Sequence, residues 1–238
     1  MYILLLILVL LRFVAYPLFG IVRQRIKPID ISVLTEREKI RLLNKGMASI
    51  WGAAFVLITL SMLSNISFYD IGFRRVNLNS NVWFTVATLA LCGLFLIVLI
   101  CNMIADFVRL KRKEEQKDEY RNKVILSLLP RSKNERINYF FVSLTAGICE
   151  EIIFRGLLFF LLQTIFPNMA MPFVLATTSV IFGIGHIYQG VLGGAVRTTI
   201  TGIILGSLFC VTGSLLPVMF LHFVFDISDV FSLSERTK

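Results

Sequence analysis

The chain has 238 residues, of which 56% are apolar and only 16% charged, with a mean hydropathy of +0.79. Soluble domains are about a quarter charged, so a soluble globular fold is excluded and a polytopic membrane protein is expected. The formal charge of +9 does not point to nucleic acid, because its basic residues gather between apolar stretches, as they do where they set membrane orientation.

In chain order, apolar segments long enough to span predict helices at Tyr2–Val22, Met47–Tyr69, Val82–Val108, Tyr139–Gln163 and Pro172–Tyr188. Two shorter ones follow at Gly193–Thr212 and Leu215–Phe231, separated by a Thr-Gly-Ser break. The first is expected to be a retained helix and not a cleavable signal. No basic residue precedes its apolar run, and Arg23, Arg25 and Lys27 follow it. Seven Lys and Arg lie between Arg23 and Lys45 and ten between Arg109 and Arg136, whereas the alternate loops hold only Arg74 and Arg75. The expected fold is therefore an all-α transmembrane bundle of about seven spans in the cell membrane, N-terminus outside and C-terminus cytoplasmic.

Three regions follow: residues 1–138 with two basic loops, a helical core over 139–231, and a short tail, 232–238. The loop 109–138 is expected to be a solvated extension of the third span, or a contact for anionic lipid. Trp51 and Trp83 sit near span ends, as interfacial anchors do. Arg12, Asp106, Arg197 and Asp229 are expected to be structural, with Arg12 pairing with Asp106 or snorkelling. Cys92, Cys101, Cys149 and Cys210 all lie in apolar segments without CxxC spacing and predict no disulfide. Gly202 and Gly206 form a GxxxG pattern suited to close helix packing, which would draw the helices of His186 and His222 together.

Ionisable residues deep in hydrocarbon default to a functional reading. The only two histidines, His186 and His222, lie in such stretches, and a third stretch carries Glu150, Glu151 and Arg155. Glu151 and Arg155 are four apart on one helical face, acid first, and predict a self-neutralising pair. Glu150 points about 100° away and must find its partner on another helix. A Glu in an apolar cleft suits a general base. His222 and Asp226 also share a face, spaced for two ligands or for a histidine oriented by a carboxylate. At about 1.5 Å per residue, Glu150 lies about 17 Å from the inner end of its span, His186 about 21 Å from the outer end of its own, and Asp226 about 17 Å. One shared site between the midplane and the inner half is thus geometrically consistent.

These motifs read EEIIFR (150–155), FGIGH (182–186) and HFVFD (222–226). In that order they resemble the EExxxR, FxxxH and HxxxN/D motifs of the CPBP intramembrane proteases, a family that includes the type II CAAX prenyl endopeptidases and abortive-infection or bacteriocin-immunity proteins. The resemblance covers roughly Tyr139 to Asp226. It implies an intramembrane endopeptidase acting on a membrane-associated or lipid-modified peptide. Glu150 would activate water, and His186, His222 and Asp226 would position the water or stabilise the oxyanion, supported by Glu151, Arg155 and Phe182. Position 226 is often Asn in the prenyl-endopeptidase branch. An ionised Asp accepts hydrogen bonds but cannot donate them, which favours an Asp–His or Asp–metal contact.

The resemblance favours a metal-free glutamate mechanism that requires no cofactor. Zinc held by His186, His222 and Glu150 or Asp226 is the competing expectation, since two His and a carboxylate match an open zinc site. Against it, a zinc protease keeps a separate Glu as base, as HExxH does. Two other functions stay open: a proton-coupled transporter, although no internal repeat is visible, and a catalytically idle binding or immunity protein.

Overall fold

The computed structural model describes residues 1–26, 34–112, 130 and 132–231, and every regular element among them is helical. Helix α1 (Tyr2–Leu10) passes through a π-helical segment, Leu11–Ala15, into α2 (Tyr16–Ile26). Helix α3 (Glu36–Leu63) starts before the expected Met47 because Thr35 caps it. The Thr35 hydroxyl accepts from the Glu38 amide at 3.4 Å, and the Glu38 carboxylate accepts from the Thr35 amide at 2.9 Å. This reciprocal box satisfies two otherwise unpaired N–H groups and carries the helix through charged sequence. The same helix ends at Leu63, short of the expected Tyr69. Asn65 turns left-handed at φ 60°, and the Ser67 amide and hydroxyl donate to Asp70 at 2.8 and 2.6 Å. Those two bonds hold the Asp70 carboxyl below its ordinary range.

Helix α4 (Val82–Arg112) follows. One unbroken helix then runs through α5 (Lys133–Glu151), a π-helical segment (Ile152–Leu158) and α6 (Phe159–Ile165). Helix α7 (Met171–Gly185) stops one residue before His186, which occupies its C-cap instead of its interior. A 3₁₀ turn (Ile187–Gln189) and Gly190 at φ 100° reverse the chain. Glycine reaches that conformation without strain. A π-helical segment (Val191–Val196) leads into α8 (Arg197–Thr212), and Gly213 at φ 62° ends it before α9 (Leu215–Phe231).

Among the described residues, four helical stretches are long and apolar enough to cross a membrane: Tyr2–Val22, Glu36–Leu63, Val82–Ala105 and Val191–Thr212. The expected fifth and seventh spans are shorter apolar helices, Met171–Gly185 and Leu215–Ser228, and the expected fourth carries Glu150, Glu151 and Arg155 at its centre. Segment 113–129 and the tail from 232 lie outside the described residues, as do the side chains of Asp106 and Asp229. Arg12 donates to Ser49 Oγ at 3.1 Å, and its guanidinium lies 5.1 Å from the ring centres of Phe13 and Tyr16. Trp51, expected as an interfacial anchor, donates to Thr145 Oγ1 at 3.1 Å and ties α3 to α5. The cysteines are unpaired.

Small residues set the helix spacings. A Cβ on Gly202 would stand 3.1 Å from Ser179 Cβ and 3.3 Å from the Phe182 ring, so the GxxxG face does seat α8 against α7. Gly147 does the same between α5 and α9: a Cβ there would meet the Met219 carbonyl at 3.1 Å and Phe223 at 3.3 Å. Gly147 lies one turn before Glu151, and Met219 and Phe223 flank His222 in sequence. Gly147→Val is therefore expected to wedge the two helices apart, costing about 1–3 kcal/mol of stability by overpacking and lowering any activity that needs both helices. Thermal unfolding in detergent beside a turnover assay checks it, and an unchanged melting point rejects it.

Candidate functional site

The three motifs converge. Glu150 and Glu151 come from the end of α5, His186 from the cap of α7, and His222 and Asp226 from successive turns of α9. His186 Nε2 and His222 Nε2 each lie 3.8 Å from the same Glu150 oxygen, Oε2, and His222 Nε2 is 3.6 Å from Asp226 Oδ2. Glu150 thus meets its partners on other helices, as its angular position on α5 requires. The Glu150 side chain is 13% exposed and that of Asp226 25%, although the Glu150 Oε2 atom itself is buried. Glu150 Oε2 has no hydrogen-bond partner among the described residues.

Glu151 faces the other way and is fully buried. It accepts from Arg155 Nη1 at 2.9 Å, the expected i,i+4 pair, and Arg155 Nη2 reaches the Gly202 carbonyl at 3.3 Å. The same Glu151 oxygen, Oε1, lies 2.6 Å from His222 Nδ1. Sequence alone missed this contact, because 71 positions separate the two residues and no local periodicity links them. A buried carboxylate braced by a guanidinium and an imidazole N–H is a strong, charge-assisted arrangement. The Arg155 guanidinium also lies 4.4 Å from the centre of the Phe182 ring. That ring meets His186 edge-on at 4.8 Å and His222 at 5.9 Å, so Phe182 is the apolar wall that both imidazoles lean on.

The histidine tautomers follow from these contacts. His186 Nδ1 is 3.0 Å from the Phe182 carbonyl, which can only accept, so Nδ1 carries a proton. His222 Nδ1 faces Glu151, whose charge Arg155 balances, and is likewise the donor. In the neutral form, each histidine then presents a bare Nε2 lone pair to Glu150. Four acceptors, two imidazole nitrogens and two carboxylates, therefore face one region.

That region is part of a cavity of about 190 Å³. It extends from Glu150 to Leu43 and Tyr139, toward the end of the bundle where the basic residues of α3 and α5 lie. Arg197, expected to be merely structural, lines it with its guanidinium 4.9 Å from the Phe225 ring centre, and Tyr188 lines it beside His186. Neither was singled out as chemical from the sequence; a cation and a phenol close to FxxxH in sequence were the available signals. Cys149 is fully buried and lines no part of this cavity.

The donor types suit a divalent ion, since each imidazole has its other nitrogen fixed by an acceptor, as metal-bound histidines do. The placement does not: among the described residues no three His, Cys, Asp or Glu are grouped to hold a metal ion.

Residues 132–228 match a protein-family model described as type II CAAX prenyl endopeptidase Rce1-like. No curated protein and no solved structure gives a significant match. The matched segment begins at the cap of α5 and contains Glu150, His186, His222 and Asp226. By these three motifs and this match, residues 132–228 are similar to the Rce1-like family, a protease family of the CAAX type.

Proposed function

We propose that this protein is an intramembrane endopeptidase that hydrolyses a membrane-associated, lipid-modified peptide with Glu150 as the general base. The observation that carries the reading is the single Glu150 oxygen placed 3.8 Å from both imidazoles in a cavity. A water molecule lying beside these atoms, in the cavity, can bond to Glu150 and an imidazole at once. Glu150 takes a proton from that water, while His186, His222 and Asp226 hold it against the substrate carbonyl. The oxygen attacks the carbonyl carbon, the C=O electrons move onto oxygen, and an oxyanion forms. Collapse restores C=O, breaks C–N and returns the proton from Glu150 to the departing nitrogen. A histidine stabilises the oxyanion through Nε2 only when it is protonated on both nitrogens.

Three carboxylates, Glu150, Glu151 and Asp226, gather here with Arg155 and the two histidines. Charge of this kind enclosed among helices is expensive unless it serves a function, which supports catalysis over a purely structural knot. Seven spans, with the cavity opening to the cytoplasm, fit the basic residues of 23–45 and 109–136. The family's substrates, prenylated membrane-associated peptides, are consistent with a membrane peptide as the substrate here.

The test is hydrolysis of a farnesylated peptide ending in the C-a-a-X pattern by purified protein in detergent or vesicles, before and after exhaustive chelation. Release of the C-terminal fragment is expected, with full activity retained after chelation. Activity lost on chelation and restored by zinc would overturn the metal-free mechanism. No cleavage of this peptide or its unprenylated counterpart would overturn the peptidase reading.

A further inference from the structure

The convergent atoms of the site are short of hydrogen-bond donors. With both Nδ1 protons committed, neutral His186 and His222 offer only lone pairs, and ionised Glu150 and Asp226 only accept. Amide hydrolysis nevertheless develops negative charge on the carbonyl oxygen, and a preorganised donor aimed there is usually the largest single stabilising effect. The neighbouring cavity wall narrows the choice. The Thr198 and Thr201 hydroxyls donate to helix carbonyls, Gly194 O at 2.8 Å and Arg197 O at 3.1 Å. The Arg197 guanidinium is placed over the Phe225 ring.

Tyr188 differs from these. Its hydroxyl accepts from Gln189 Nε2 at 2.9 Å, which occupies an acceptor site and leaves the O–H proton to be directed elsewhere. Its ring stacks on His186 at 6.2 Å with 27° between planes, on the 3₁₀ turn that follows the histidine. The phenol lies within electrostatic reach of both Glu150 and Asp226. We propose that Tyr188 is a further catalytic residue, donating its O–H to the oxyanion, with Gln189 as the positioning residue that aims it. The tyrosine keeps its proton throughout, so the proton balance between water, Glu150 and the leaving nitrogen is unchanged. This rests on the endopeptidase reading.

The conservative variant Tyr188→Phe keeps the ring stacked on His186 and removes only the hydroxyl. With the farnesylated peptide, kcat is expected to fall about 100-fold, as for loss of one oxyanion donor, with KM and melting temperature unchanged. The aldehyde of the same peptide, whose hydrate mimics the tetrahedral intermediate, should lose affinity by the same factor. Gln189→Leu should give a smaller fall in kcat, also at constant KM. Wild-type kcat in Tyr188→Phe, or a rise in KM alone, overturns the donor role and leaves the endopeptidase reading intact. Failure of the wild-type protein to cleave any peptide overturns both.

Discussion

Glu150→Gln is expected to abolish turnover while leaving the bundle intact. The substitution keeps shape and volume, and Glu150 Oε2 has no hydrogen-bond partner among the described residues that the change would break. What it removes is the ability to take a proton, an effect of about 10²- to 10⁴-fold for a positioned general base. Glu150→Ala should be equally inactive and as well inserted in the membrane. Turnover of the farnesylated peptide, with melting temperature as the control for folding, decides the matter. Cleavage at the wild-type rate in either variant would remove Glu150 from the mechanism. A binding or immunity protein would keep its phenotype in both. Comparing membrane peptides from wild-type and Glu150→Ala cells by mass spectrometry would then identify the substrate.

Arg155→Leu is expected to have the largest effect on stability. Arg155 and Glu151 are 1% and 0% exposed, and the guanidinium is the cation that balances this carboxylate at 2.9 Å. Removing one member of a buried pair strands the other and costs about 3–5 kcal/mol, whereas replacing both by apolar residues of similar volume is often near neutral. The double variant Glu151→Met/Arg155→Leu should therefore recover most of the stability lost in Arg155→Leu. It should not recover activity, because His222 Nδ1 loses the acceptor that fixes its tautomer and ring orientation. Unfolding midpoints of the two single variants and the double variant form the cycle that measures this coupling. Additive losses would mean that the pair is not the brace inferred here.

The parts of the site legible in the sequence were the local ones. Glu151–Arg155 and His222–Asp226 are each four apart, and helical geometry alone puts each pair on one face. Family motifs in the right order then joined Glu150, His186, His222 and Asp226. Hidden from the sequence were particular side-chain contacts between helices that no motif spans. The Glu151–His222 contact is one example, and the recruitment of Tyr188 and Arg197 to the cavity wall is another. Helix ends also resisted reading for identifiable reasons. The Thr35 box extends α3 through a charged stretch that hydropathy assigns to a loop, while Asn65 ends the same helix inside sequence that hydropathy assigns to a span. His186 leaves its helix because the reversal at Gly190 begins there.

Three aromatic rings give the molecule a property that no single helix has. Phe13 meets Phe154 at 5.0 Å, Phe154 meets Phe182 at 5.0 Å, and Phe182 touches both imidazoles. All three rings are buried, in one core with Leu5 and Val9 of the first helix. Phe13 lies more than a hundred residues before the matched segment, yet only one ring, Phe154, separates it from Phe182, the wall behind His186 and His222. Interiors packed this densely transmit displacements instead of absorbing them. The N-terminal helix is thus a mechanical backing plate for the two imidazoles, and a ring lost at position 13 would be felt as slack at both.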